Sequence, residues 1–311
     1  MIYLAIKIFI GLVLMHFGSS FITNQIQALS SSLKKTTLIA TTALIAFVMG
    51  FPEISVSFSA YISGHQQSAI SSIIGSSLVN ILLLFGIYTS QSTSVKERFQ
   101  QVNMLRALCV MSGASLLSLY FTSKLVGFAG SLLGITTLIV PKIVQGEKWD
   151  VKHLPRPILN ISTVILAFKT IAGSVAIILG AYLFTGGAIV VSSQLKIAPK
   201  ITGLFILALG SALPELCLVI YTLIRKNVND GAVIILASTF FNLLFLNLLL
   251  GSFQSISIGA KLHHSSFMLF FSCITVLLLY TRKKYVSNVF GYLLILIYLI
   301  YFTGEILSHD Y

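Results

Sequence analysis

Charge is scarce in this chain. Only 9% of its 311 residues are Asp, Glu, Lys or Arg, against roughly a quarter in a soluble domain, which excludes a water-soluble enzyme of this length. Acid is scarcer still, with eight Asp and Glu against twenty Lys and Arg. The three cysteines, Cys109, Cys217 and Cys273, are odd in number and lack metal-ligand spacing. They exclude a disulfide framework or a cysteine-built metal centre, and isolated buried thiols are the expectation. No H-E-x-x-H, G-x-S-x-G or phosphate-binding loop occurs, and the S-x-x-K match at Ser193 to Lys196 is a pattern of low specificity at the end of an apolar run. The sequence does not read as an enzyme, and it calls for no cofactor.

What the chain has in quantity is apolar length. Hydrophobic residues make up 56% of it and fall in runs such as 164–191, long enough to cross roughly 30 Å of hydrocarbon. The expectation is an all-α integral membrane protein, with ten spans near residues 2–27, 38–63, 68–90, 104–121, 125–141, 164–193, 201–224, 231–252, 264–281 and 286–307. Fifteen of the twenty basic residues then lie in or beside connections one, three, five, seven and nine; Lys7, Lys124, Lys196, Lys200 and Lys261 lie toward the other side. Basic residues beside span ends stay cytoplasmic, so both termini are expected outside. The net charge of +12 thus orients the chain in a lipid bilayer and needs no nucleic acid to explain it.

The spans repeat. Gly50 to Gly64 (GFPEISVSFSAYISG) aligns with Ala212 to Lys226 (ALPELCLVIYTLIRK) through a shared Pro-Glu, and GSSLVN from Gly75 aligns with ASTFFN from Ala237. Glu53 precedes Ser76 by 23 residues and Asn80 by 27; Glu215 precedes Ser238 and Asn242 by the same 23 and 27. A weaker pairing sets Gly11 over Gly180 and Gly18 over Gly187. The chain therefore divides into a first five-helix repeat at 1–141 (motif 46–86), a hydrophilic linker at 142–160 and a second repeat at 161–311 (motif 207–251). Five crossings end on the far side from where they began, so the second repeat enters inverted, an arrangement secondary transporters use to build a midplane site.

Glu53 and Glu215 are the only two acids deep in apolar spans; Glu305 sits at the end of the last one. A carboxylate at the bilayer centre costs at least ~2.5 kcal/mol and marks a functional site by default. Each follows a proline, Pro52 or Pro214, which removes a backbone donor and is expected to open the helix and free carbonyls near 48–49 and 210–211. Two carboxylates with backbone oxygens make a hard cage suited to Ca2+. Ser76 with Asn80, and Ser238 with Asn242, lie one turn apart and either add oxygens or make interhelical hydrogen bonds. Gly75, Gly86, Gly210 and Gly251 most simply permit close packing.

These paired blocks resemble the two alpha repeats of the calcium/cation antiporter superfamily, which contains sodium/calcium, potassium-dependent sodium/calcium and proton/calcium exchangers. The resemblance implies that helices two, three, seven and eight surround the ions while one and six slide across them. It makes Glu53 and Glu215 the central Ca2+ ligands, with backbone carbonyls of Met49 and Ser211, and places Ser76, Ser238, Asn80 and Asn242 at supporting positions. Sodium-coupled members resemble T-S-x-P-E in each repeat and often carry an aspartate where Asn242 stands. Here the first repeat reads Met49-Gly50-Phe51-Pro52-Glu53 and the second Ser211-Ala212-Leu213-Pro214-Glu215. Fewer hydroxyls and no third acid weaken sodium sites and point toward the proton/calcium branch.

Electrostatics leads to exchange without the family. Two ionised carboxylates balance one divalent cation, whereas an empty, desolvated, like-charged pair is costly and takes protons before closing. The expected transported ions are Ca2+ with H+ favoured over Na+. A Na+/Ca2+ exchanger, a passive cation channel and an exchanger homologue with a decayed site remain as rivals. The sequence is silent on oligomeric state.

Overall fold

The computed structural model describes residues 1–31, 38–91, 98–121, 123–144, 161–224, 228–252, 260–282 and 288–308. Most of the expected linker, 145–160, lies outside them. Among the described residues all regular structure is helical and falls into ten rods. They are α1 (Ile2–Ser31), α2 (Leu38–Ile62), α3 (Gln66–Gln91), α4 (Arg98–Phe121), α5 (Lys124–Val144), α6 (Ile161–Gln194), α7 (199–224), α8 (Val228–Ser252), α9 (Ala260–Arg282) and α10 (Asn288–Leu307). Among the described residues seven helices are long and apolar enough to cross a membrane, and the two arms of α7, Pro199–Ser211 and Leu213–Ile220, bent by 44°, make an eighth. The apolar part of α5, Lys124–Ile139, is shorter.

The rods follow the ten expected spans, because each is set by an apolar run ended by a short polar connection. Two are not plain α-helices. Val79–Leu84 in α3 and Thr202–Leu207 in α7 are π-helical, a widening by one residue that recurs at functional sites. Neither was expected, since a π-turn leaves no pattern in a hydropathy period. The buried core joins α3, α4, α7, α8, α9 and α10 around Ile70, Leu78, Leu108, Leu243 and Leu294. Exposed Phe17, Leu132, Phe168, Ile178 and Ile300 give the outside of the bundle the apolar surface a bilayer requires. Cys217 is also exposed, and Cys109 is half-buried, so only Cys273 matches the expectation of a buried thiol.

Helices α1 and α6 cross antiparallel on glycine. A Cβ on Gly11 would lie 2.7 Å from the Gly180 carbonyl oxygen, and one on Gly180 would lie 2.7 Å from that of Gly11. Gly18 faces Gly173 and Ile177, and Gly187 faces Leu4 and Ile8. Each of these pairs is carried into the other by an offset of 169 residues, so the contact has its own two-fold symmetry. Gly180→Val is expected to lower the melting temperature in detergent, since forcing helices apart costs about 1–3 kcal/mol. Gly304→Ala, where a Cβ meets nothing within 4 Å, is the control that should leave it unchanged.

Candidate ion-binding site

Four helices bring the expected residues to one place. α2 delivers Glu53, α3 delivers Ser76 and Asn80, the second arm of α7 delivers Glu215, and α8 delivers Ser238 and Asn242; all six are at most 1% exposed. Glu53 and Glu215 lie close enough to act on each other as charges and as hydrogen-bond partners. The flanking residues bond crosswise between repeats. Asn80 Nδ2 donates to Ser238 Oγ at 3.4 Å, and Ser238 Oγ donates to Glu53 Oε1 at 3.3 Å. Asn242 Nδ2 donates to Ser76 Oγ at 3.2 Å. There the symmetry stops, because Ser76 Oγ turns to the Ile73 carbonyl at 3.1 Å and leaves Glu215 unserved.

The donor count is therefore short on one side. Glu53 Oε2, both oxygens of Glu215, Asn80 Oδ1 and Asn242 Oδ1 are buried without a hydrogen-bond donor. Each amide donates an N–H to a serine of the other repeat, and two carboxylates satisfy each other only when one holds a proton. Buried polar groups are normally paired, so five acceptors without donors in one cluster make this the candidate place for a cation or protons. Four carboxylate, two amide and two hydroxyl oxygens are present, in the range of the six to eight that Ca2+ uses. Among the described residues no group of three or more His, Cys, Asp or Glu is assembled elsewhere, and this donor set is hard oxygen alone.

The two prolines behave differently. In α7 the helix breaks at Ala212 (φ −83°, ψ 1°), two residues before Pro214. The Phe184 ring of α6 packs onto Gly210, where a Cβ would collide with it. The missing N–H of Pro214 leaves the Gly210 carbonyl without its helical donor, beside the backbone at Ser211. In α2 the expected opening is not found: Leu38–Ile62 runs as one α-helix through Pro52. The defect there is one missing donor opposite Val48, because hydrogen bonds from Ser57 Oγ to the Ala69 carbonyl (2.5 Å) and from Thr185 Oγ1 to the Val56 carbonyl (3.4 Å) hold α2 in line. The backbone oxygen expected from Met49 accordingly sits within a continuous helix.

Gly50, read from sequence only as a lost hydroxyl, sits against the site. A Cβ there would lie 3.4 Å from the Ser238 carbonyl oxygen and 3.5 Å from Asn242 Oδ1, in ordinary contact. Ser238→Ala would remove the hydroxyl that donates to Glu53 Oε1. It is expected to raise the cation concentration for half-maximal uptake about fivefold, the worth of one hydrogen bond near 1 kcal/mol, measurable by isotope flux into liposomes.

Comparison with known proteins bears on this geometry. The sequence model of the family described as "Sodium/calcium exchanger protein" matches residues 3–141 and 165–306. An uncharacterized membrane protein of Methanocaldococcus jannaschii is 26% identical over 213 residues, 67% of this chain and 68% of its own. "Putative antiporter CaxA" of Alkalimonas amylolytica is 24% identical over 261 residues, 78% of this chain and 79% of its own. A solved structure of the sodium-calcium exchanger NCX_Mj soaked with Na+ and Sr2+ shares the fold at TM-score 0.69 and 22% identity, covering 97% of this chain and 99% of that one.

Proposed function

The chain belongs to the sodium/calcium exchanger protein family, a family of multi-pass membrane transporters, and from that premise we propose that it exchanges Ca2+ for a monovalent cation, H+ favoured over Na+, at the Glu53–Glu215 site. The observation that carries the reading is the cluster of five buried oxygen acceptors without donors. With Ca2+ bound, the two carboxylates are neutralised and the amide and hydroxyl oxygens complete the cage. With Ca2+ gone, the carboxylates must take protons, because a like-charged pair out of water is too costly to close upon. Each filling permits reorientation and the bare charged pair does not, which makes the transport an exchange. The matching offsets across the α1/α6 contact support two inverted repeats at 1–141 and 161–311, and the bias of basic residues supports both termini outside.

Protons are favoured over sodium because Met49 and Gly50 bring no hydroxyl and Asn242 no third charge. Purified protein in liposomes tests this. Ca2+ uptake should persist without a sodium gradient and stop when the pH gradient is collapsed. Uptake driven by sodium and indifferent to pH would replace the proton reading with Na+/Ca2+ exchange. Flux that never concentrates Ca2+ against its gradient would make the protein a channel.

A further inference from the structure

One acid outside the ion site is also buried. Glu305, near the end of α10, is 5% exposed, and its Oε2 accepts a hydrogen bond from Lys200 Nζ at 2.6 Å; the Lys200 side chain is only 4% exposed. The second oxygen, Oε1, meets Nδ1 of His264 on α9 at 3.1 Å and Ser265 Oγ at 3.5 Å. Tyr301, on the same helix as Glu305, stacks on the His264 ring with centroids 6.3 Å apart. His263 turns away to the Leu119 carbonyl at 3.2 Å. His264 differs from the ion pair beneath it in being 65% exposed.

Position gives the cluster its meaning. Lys200 begins the first arm of α7, roughly 18 Å along the helix from the break at Ala212, beyond which Glu215 lies. That arm is bound closely to α3. Ser68 Oγ donates to the Pro199 carbonyl at 3.0 Å, Gly203 lies against the backbone of Ser68 and Ser72, and Gly75 lies against that of Leu204, with no room for a Cβ at any of these contacts. The arm and the helix carrying Ser76 and Asn80 therefore form one body, and the Lys200–Glu305 pair ties its outer end to α9 and α10. A buried ion pair adds little stability over an apolar pair of the same size, so its use lies in fixing a geometry.

We propose that Lys200 and Glu305 are positioning residues for transport, a latch on the α7 arm that leads to Glu215, which a proton on His264 tightens. The proposal rests on the two-glutamate exchange described above. A neutral imidazole gives Oε1 a dipolar N–H, whereas an imidazolium gives it a full charge and a shorter, stronger bond. Imidazole is also the side chain that changes charge between pH 5 and 8. Acid on the side of the membrane that carries the carboxyl terminus then holds Glu305 to α9 and Lys200 to Glu305 together, and the arm moves less readily.

The test compares wild type, His264→Gln and Glu305→Gln in liposomes, with the pH stepped from 8 to 6 on the carboxyl-terminal side only. His264→Gln keeps an uncharged donor at an exposed position. Its maximal rate should equal that of wild type at pH 8 and exceed it about threefold at pH 6, the scale of one half-exposed ion pair, with the half-saturating Ca2+ concentration unchanged at both. Glu305→Gln should likewise lose the acid slowing, and the charge-swapped pair Lys200→Glu with Glu305→Lys should fold where Glu305→Lys alone does not. Superposed pH profiles of active wild type and His264→Gln overturn the latch while leaving the exchange reading intact. So does a changed Ca2+ affinity in His264→Gln, which would place His264 in the ion site's own electrostatics. A wild type that moves no Ca2+ at any pH overturns both.

Discussion

Glu215→Gln is expected to reduce Ca2+ exchange at least roughly 100-fold while leaving the protein as stable as wild type, or more so. The two halves of this outcome have one cause. Neither oxygen of Glu215 meets a donor, and its near neighbour is the Glu53 carboxylate. An amide of the same shape removes one charge from a like-charged pair and supplies N–H groups that Glu53 Oε2, also unserved, can accept. The fold gains a hydrogen bond. The dication, in contrast, loses half of the charge that neutralises it, and unpairing a buried charge costs about 3–5 kcal/mol, which is roughly 100-fold or more in affinity. Isotope-labelled Ca2+ uptake by liposomes and melting in detergent measure the two effects on one preparation. Uptake within about threefold of wild type would remove Glu215 from the mechanism, and a collapse in melting temperature would mean that its carboxylate serves the fold. Glu53→Gln is expected to lose transport as fully but to gain less stability, because Glu53 Oε1 already accepts from Ser238.

The grouping of these six residues was legible because it is written in intervals. Equal spacings from each Pro-Glu to a Ser and an Asn mean that two helix pairs place the same side chains at the same depth, and the structure has all six buried. The α1/α6 contact was legible more faintly, since Gly11 over Gly180 and Gly18 over Gly187 is an alignment that composition alone produces; in the structure those glycines touch or mirror each other. What could not be read depends on partners distant in sequence. Pro52 and Pro214 look alike in the chain, yet only α7 breaks, because Ser57 and Thr185 brace α2 while Phe184 leans on Gly210. Lys200 and Glu305, 105 residues apart, read as two span-end charges until the fold joined them. Of the two uses expected for the amides, added oxygens or interhelical hydrogen bonds, the structure has the second, each donating to the serine of the opposite repeat.

Coupling should be convertible at two positions. In the resemblance read from the sequence, Gly50 falls at the second hydroxyl of the T-S-x-P-E pattern and Asn242 at the aspartate position. The structure puts the two together, since a Cβ on Gly50 would be 3.5 Å from Asn242 Oδ1 at ordinary contact distance. Gly50→Ser therefore adds an oxygen at the edge of the cage without forcing α2 away from α8. Asn242→Asp adds a charge there and removes the amide that donates to Ser76. Sodium needs several oxygens and a compensating charge, and either change alone supplies only half of that. The double variant is expected to show Ca2+ uptake that rises at least roughly tenfold with an imposed sodium gradient, about 1.4 kcal/mol of new coupling, where wild type shows no sodium response. Each single variant should stay below about threefold. Asn242→Asp alone should also weaken proton coupling, since three acids around one dication leave a charge that protons must cover before the site can close. A double variant still indifferent to sodium, yet able to carry Ca2+ on a pH gradient, would show that these oxygens lie outside the sodium path and that specificity is set by the bent arm of α7.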